Sequence, residues 1–95
     1  MVSVLEKQLA RALDRRLTVF AAKAADGSLL QDEMSLRAAA YMASEIIQPC
    51  CCMLCNKEKL AALLEGTSLC QGRPELSHKM AELIYHDLAR CNGLG

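Results

Sequence analysis

Leu5, Leu9, Leu13, Leu17, Phe20 and Ala24 recur at spacings of three or four along the first part of the chain. That rhythm constrains the fold more than any other feature. Residues three and four apart share one face of an α-helix, whereas a strand would need apolar residues at every second position. Ser3-Val4-Leu5-Glu6 precedes the stripe as a capping box, with Ser3 as N-cap and Glu6 reaching back. Lys7, Arg11, Asp14, Arg15 and Thr18 fall mostly on the other side, and Asp26-Gly27-Ser28 stops the helix.

Three further helices follow by the same reasoning. The second is expected from about Leu30 or Gln31 to Gln48, with Met34, Ala38, Tyr41, Met42, Ile46 and Ile47 as a wide apolar face. Ala38-Ala39-Ala40 carries little bulk, so a neighbouring helix can approach closely there. Pro49 ends this helix or opens the next. The third is expected from Pro49 to Glu65, with Gly66 as C-cap and Leu60, Leu63 and Leu64 on its apolar face. Asn56 offers an alternative start, which leaves 49–55 as a separate turn. Thr67 to Arg73 reads as a loop containing Gly72. The fourth helix opens at Pro74, carries Leu76, Met80, Leu83, Ile84, Leu88 and Cys91, and stops at Asn92-Gly93.

No run of β-branched or alternating residues competes with this pattern. Hydrophobic residues make up 53% of the chain and aromatics only 3%, so Leu, Ala, Met, Ile and Cys must build the core. The expected fold is all-α: three to four amphipathic helices packed as antiparallel αα-hairpins in a single domain over 1–95. Helices one and two form one hairpin, three and four the other.

The cysteines pose the sharpest chemical question. Four of the six, Cys50, Cys51, Cys52 and Cys55, fall within six positions. Spacings of three and four can bring Cys51, Cys52 and Cys55 to one helix face, and a helix N-terminus lowers a thiol pKa. Zinc needs about four ligands, for which Cys70, Cys91, His78 or His86 would have to complete the set. The second C-x-x-C or paired-histidine motif of a zinc site is missing, as is the βαβ context of a thioredoxin-type site. Buried cysteines acting as small hydrophobes explain the cluster more simply. Adjacent cysteines also make poor disulfide staples. Met1-Val2-Ser3-Val4-Leu5-Glu6-Lys7 reaches charge at once, unlike a secretory leader, so a reducing cytoplasm is the expected compartment. No apolar run approaches the length of a membrane span.

His78, Glu82 and His86 recur every four residues on the fourth helix, in a pattern able to bind metal or move protons. They lie off the apolar stripe, where a solvated face is the plainer explanation. Lys7, Arg11 and Arg15 form a basic line on the first helix, with Arg16 nearby. Interleaved aromatics for base stacking are absent, and Lys+Arg equals Asp+Glu at 11 each, which argues against a dedicated nucleic-acid binder. Glycine-rich phosphate loops and catalytic triads have no counterpart here.

These readings converge on a non-enzymatic interaction domain with no cofactor: an adaptor, chaperone or inhibitor that binds a partner's amphipathic helix or a second copy of itself. The expected surface is Leu29, Leu30, Met34, Tyr41 and Met42, with Met53 and Leu54 at its end. In size and neutrality the chain is similar to the small helical chaperones that guard polymerising subunits in bacterial secretion systems, a likeness of architecture alone. Two alternatives stand beside this reading. One is a metal- or thiol-sensing domain centred on the cysteine cluster. The other is a small phage-type inhibitor that masks a nucleic-acid-binding protein.

Overall fold

The computed structural model describes residues 4–50 and 56–91, without the side chains of Leu5, Cys50 and Cys91. The described residues are all-α: α1 (Val4–Leu17), α2 (Ala21–Ala25), α3 (Ser28–Gln31), α4 (Glu33–Ile47), α5 (Lys57–Glu65) and α6 (Pro74–Cys91). Single 3-10 turns follow α1 (Thr18–Phe20) and α4 (Gln48–Cys50).

The first predicted helix is thus interrupted. Thr18 Oγ1 donates to the Asp14 carbonyl at 2.7 Å. Such back-bonding to the preceding turn bends helices, and the chain tightens there before α2 resumes. Gly27, at φ 82°, then turns the chain into α3. A residue with a side chain would be strained in this left-handed conformation. Gly72, at φ 72°, makes the corresponding turn just ahead of α6.

Caps set the other boundaries. Asn56 has extended backbone (φ −140°, ψ 126°), and its Oδ1 accepts from the Glu58 and Lys59 amides at 2.7 and 3.3 Å. This excludes one helix running from Pro49 to Glu65 and bears out the fresh start at Asn56. Pro74 opens α6, where its missing N–H is no loss. The second predicted helix is also corrected. α4 begins at Glu33 because Asp32 adopts extended backbone and accepts the Ser35 amide at 3.2 Å. The Asp32-x-x-Ser35 pattern was a legible stop and start signal.

Asp32 also ties α4 to α2. Lys23 Nζ lies 2.6 Å from Asp32 Oδ2 and 3.1 Å from Ser35 Oγ. Hydrogen bonds from Lys23 and Ser35 hold the Asp32 carboxyl down to about 2, from an ordinary 3.8. A carboxylate with a lowered folded-state pKa contributes stability that is complete above its unfolded pKa and is lost as pH falls through the folded value. Asp32→Ala should therefore lower the melting temperature at pH 6, and the gap to wild type should narrow between about pH 4 and pH 2. Thermal unfolding by circular dichroism across that range checks this. A gap that stays constant would mean the cap acts without ionisation.

The four longer helices pack in a closed cycle, α1 on α4, α4 on α6, α6 on α5 and α5 on α1. One cluster fills the centre, running from Leu9, Leu13 and Leu17 through Leu36, Ala43 and Ile47 to Leu60, Leu64, Met80 and Ile84. Leu9, Leu13 and Leu17 of the α1 stripe enter it as expected, as do Leu76, Met80, Ile84 and Leu88 of α6. The stretch 67–73 contributes more than a loop reading implies. Thr67, Leu69 and Cys70 are buried, and Arg73 holds the turn together by donating from Nη1 to the Leu69 carbonyl at 3.1 Å. Asp14 also leaves its solvated role, since its carboxylate accepts from the Ser68 amide and hydroxyl at 3.0 and 3.2 Å.

Candidate functional site

α4 lies between α1 and α6 and buries Leu36, Ala39, Ala40, Ala43, Ser44 and Ile47 between them. Its buried face is therefore rotated from the expected one. Of the expected face, Ile47 is in the core and Met42 and Ile46 are half-buried, but Ala38 is exposed. Met34 is 83% exposed and Tyr41 61% exposed. The core uses the small residues because two helices must approach α4 closely, and side-chain size sets interaxial distance.

Met34 and Tyr41 are seven residues apart, so they stand on one face about 10 Å apart along the axis. Arg37 and Ala38 both stand between them, so the exposed face carries a small residue and an exposed cation beside the two apolar side chains. Two grooves flank this ridge. Toward α1, about 510 Å³ is lined by Ala12, Arg15, Arg16, Met42, Glu45 and Ile46. Toward α6, about 500 Å³ lies among Arg37, Tyr41, Leu83, His86, Asp87 and Arg90. Arg37 reaches Glu33 at 3.0 Å, an exposed pair one helical turn apart. Ser44 joins α4 to α6, donating to the Ala40 carbonyl at 2.8 Å with Asp87 Oδ2 at 3.3 Å.

Of the residues expected to meet a partner, Met34 and Tyr41 are thus on an open face of α4, and Met42 borders the α1 groove. Leu30 is half-buried against the core. Leu29 must be corrected: it is fully buried in α3 and has no surface to offer. The left-handed turn at Gly27 starts α3, and this short helix packs on both α2 and α4 with Leu29 on its buried side. Met53 and Leu54 lie outside the described residues.

Among the described residues the chemical candidates do not assemble. His78, Glu82 and His86 are all exposed on α6, and no group of three His, Cys, Asp or Glu among the described residues is placed to hold a metal ion. His86 instead meets Tyr85 edge-on, with ring centroids 6.2 Å apart. Cys51, Cys52 and Cys55, and the side chains of Cys50 and Cys91, lie outside the described residues. Cys70 is fully buried, with its Sγ 3.9 Å from Met80 Sδ. Burial raises its thiol to about 11, so the nucleophilic thiolate is scarce near neutral pH. It packs as a small hydrophobe, as sequence reasoning allowed for this residue type.

Lys7, Arg11 and Arg15 are exposed along α1, but the structure divides them. Arg15 borders the α4 groove, while Lys7 and Arg11 border a separate groove against α5. Only the packing of α5 on α1 could show that division. Among the described residues, no helix is long and apolar enough to cross a membrane. Comparison with protein-family models, curated proteins and solved structures gives no match to this chain.

Proposed function

We propose that this chain is a non-enzymatic protein-interaction domain that receives an amphipathic helix of a partner protein across the outer face of α4. The observation that carries the reading is the exposure of Met34 and Tyr41 on the face of α4 that lies away from its buried residues Leu36, Ala39, Ala40, Ala43 and Ile47. Single exposed apolar residues are ordinary. Here two large ones flank Arg37 and Ala38 at helical spacing, and that spacing suits a helix with its own apolar residues at i, i+3, i+4 and i+7. Tyr adds a rigid, amphipathic contact of the kind that dominates interfaces. Met adapts to irregular partners. Arg15, Arg16, Arg37 and Arg90 rim the flanking grooves with Glu45 and Asp87, and Arg37 is already paired with Glu33, so the border carries both signs and suits the orienting of a partner.

Selection from a displayed library of amphipathic helical peptides tests the proposal. Selected peptides should bind the wild-type protein and lose at least about tenfold in affinity for a Met34→Glu, Tyr41→Glu double variant, equivalent to about 1.4 kcal/mol. Both positions are exposed, so helicity and melting temperature should hold. Peptides that bind the double variant as well as wild type would move the site elsewhere. A wild-type dimer that the double variant abolishes would identify the occupant as a second copy.

A further inference from the structure

We propose that the groove between α1 and α5 is a second docking site, which takes an acidic amphipathic helix independently of the α4 ridge. The groove encloses about 410 Å³. Ala10 forms its floor on the α1 side, and Ala62, Leu63 and Gly66 form it on the α5 side. The two helices close on each other at its base: a Cβ placed on Gly66 would lie 4.0 Å from the Ala10 Cβ. Three cations stand around this apolar floor, Lys7 and Arg11 one turn apart on α1 and Lys59 on α5. Glu6 is the only carboxylate among the described lining residues.

Charge chooses the occupant. The described ion pairs, Lys23–Asp32 and Arg37–Glu33, lie elsewhere, so the three rim cations are not consumed by either. The chain as a whole carries equal numbers of cationic and acidic side chains, which makes three cations against one carboxylate a local excess. Complementary potentials of this kind set orientation and partner choice. The apolar floor requires that the partner also present small or aliphatic side chains between its acids. No aromatic is among the described residues that line the groove, so these offer no platform on which nucleic-acid bases would stack. The polar side chains on the groove are the exposed Lys7, Arg11 and Lys59 and the half-buried Glu6, so its described lining holds no fully buried polar group of the kind that orients a small molecule. The groove walls are helices, whose backbone groups are mostly paired internally and offer no sheet edge. A partner segment must therefore satisfy its own backbone, as a helix does.

The test uses the full chain and a fluorescent, designed helical peptide with Ala and Leu at i, i+3, i+4 and i+7, flanked by Glu. Fluorescence polarisation should show saturable binding that weakens as salt rises. The triple variant Lys7→Glu, Arg11→Glu, Lys59→Glu should weaken it at least about tenfold. Ala62→Phe fills the groove from an exposed position and should do the same with circular dichroism unchanged. The Met34→Glu, Tyr41→Glu variant should bind the acidic peptide as wild type does, so this site and the α4 site can fail separately. The proposal is overturned by absence of saturable binding. It is equally overturned if a charge-matched peptide with Gln at the apolar positions, or a single-stranded oligonucleotide, binds as tightly.

Discussion

Leu64→Ala should destabilise the fold by roughly 2–5 kcal/mol, which is a large part of the roughly 5–15 kcal/mol that holds a domain together. Leu64 is fully buried in α5, in the cluster shared with Leu13, Leu60, Met80 and Ile84. Truncation removes the transfer free energy of the lost atoms and leaves a cavity that neighbours fill only in part. α5 has little to spare. It is nine residues long, too short to persist as an isolated helix. It depends on Leu60, Leu63 and Leu64 to hold it against α1 and α6. Urea unfolding followed at 222 nm should show a lower midpoint. A change below about 1 kcal/mol would mean that α5 contributes little to the core. Ala62→Ser, one turn-face away and exposed, should stay within about 0.5 kcal/mol.

Ala43→Leu should also destabilise, by about 1–3 kcal/mol, although it adds apolar surface. Ala43 is fully buried on α4 and shares its face with Ala39, Ala40 and Ile47. α1 and α6 both pack on this helix, so three added carbons have no space that is not already occupied. Ala38→Leu makes the opposite prediction on the same helix. Ala38 is exposed, and leucine there should leave the urea midpoint within about 0.5 kcal/mol of wild type. Equal effects at 38 and 43 would contradict the rotation assigned to α4. Leu at 38 would add bulk between Met34 and Tyr41, so peptide affinity at the α4 ridge should fall even though stability holds.

The α4 pair also shows where sequence reasoning reached its limit. Met34, Tyr41, Met42 and Ile46 carry more apolar area than Ala39, Ala40 and Ala43, and area alone puts the larger residues inside. Both sets follow helical spacing, so periodicity does not choose between them. Leu36 is large, but it stands two residues from Met34 on the far side of the helix, so a face drawn through Met34 and Tyr41 leaves it out. A face of small residues is invisible to a reading that weighs side chains by hydrophobicity. Met34 and Tyr41 were nevertheless picked out as partner-facing residues from the excess of apolar groups on this helix, and the structure leaves both open. Leu29 failed because its position depends on the turn at Gly27 and the brevity of α3.

The α1–α5 groove had only half its signal in the sequence. Lys7, Arg11 and Arg15 were legible as a basic line on one helix. Lys59 and Ala62 could not be joined to them without knowing that α5 lies against α1. Asp14 is similar: its spacing marks a solvated face, but its carboxylate is bound to Ser68, 54 residues away.

By itself the sequence determined that the chain is helical, where α6 begins, that Asn56 can start α5, and that the α1 stripe faces the core. Those features rest on interactions within one or two turns, which caps, prolines and 3.6-residue periodicity encode directly. Tertiary structure decided which face of α4 is buried, where α1 gives way to α2, that Thr67, Leu69 and Cys70 close the core, and which cations share a groove. Each of these depends on contacts between residues far apart in the chain. Such contacts are chosen by how closely whole helices can approach, not by the preference of any single side chain.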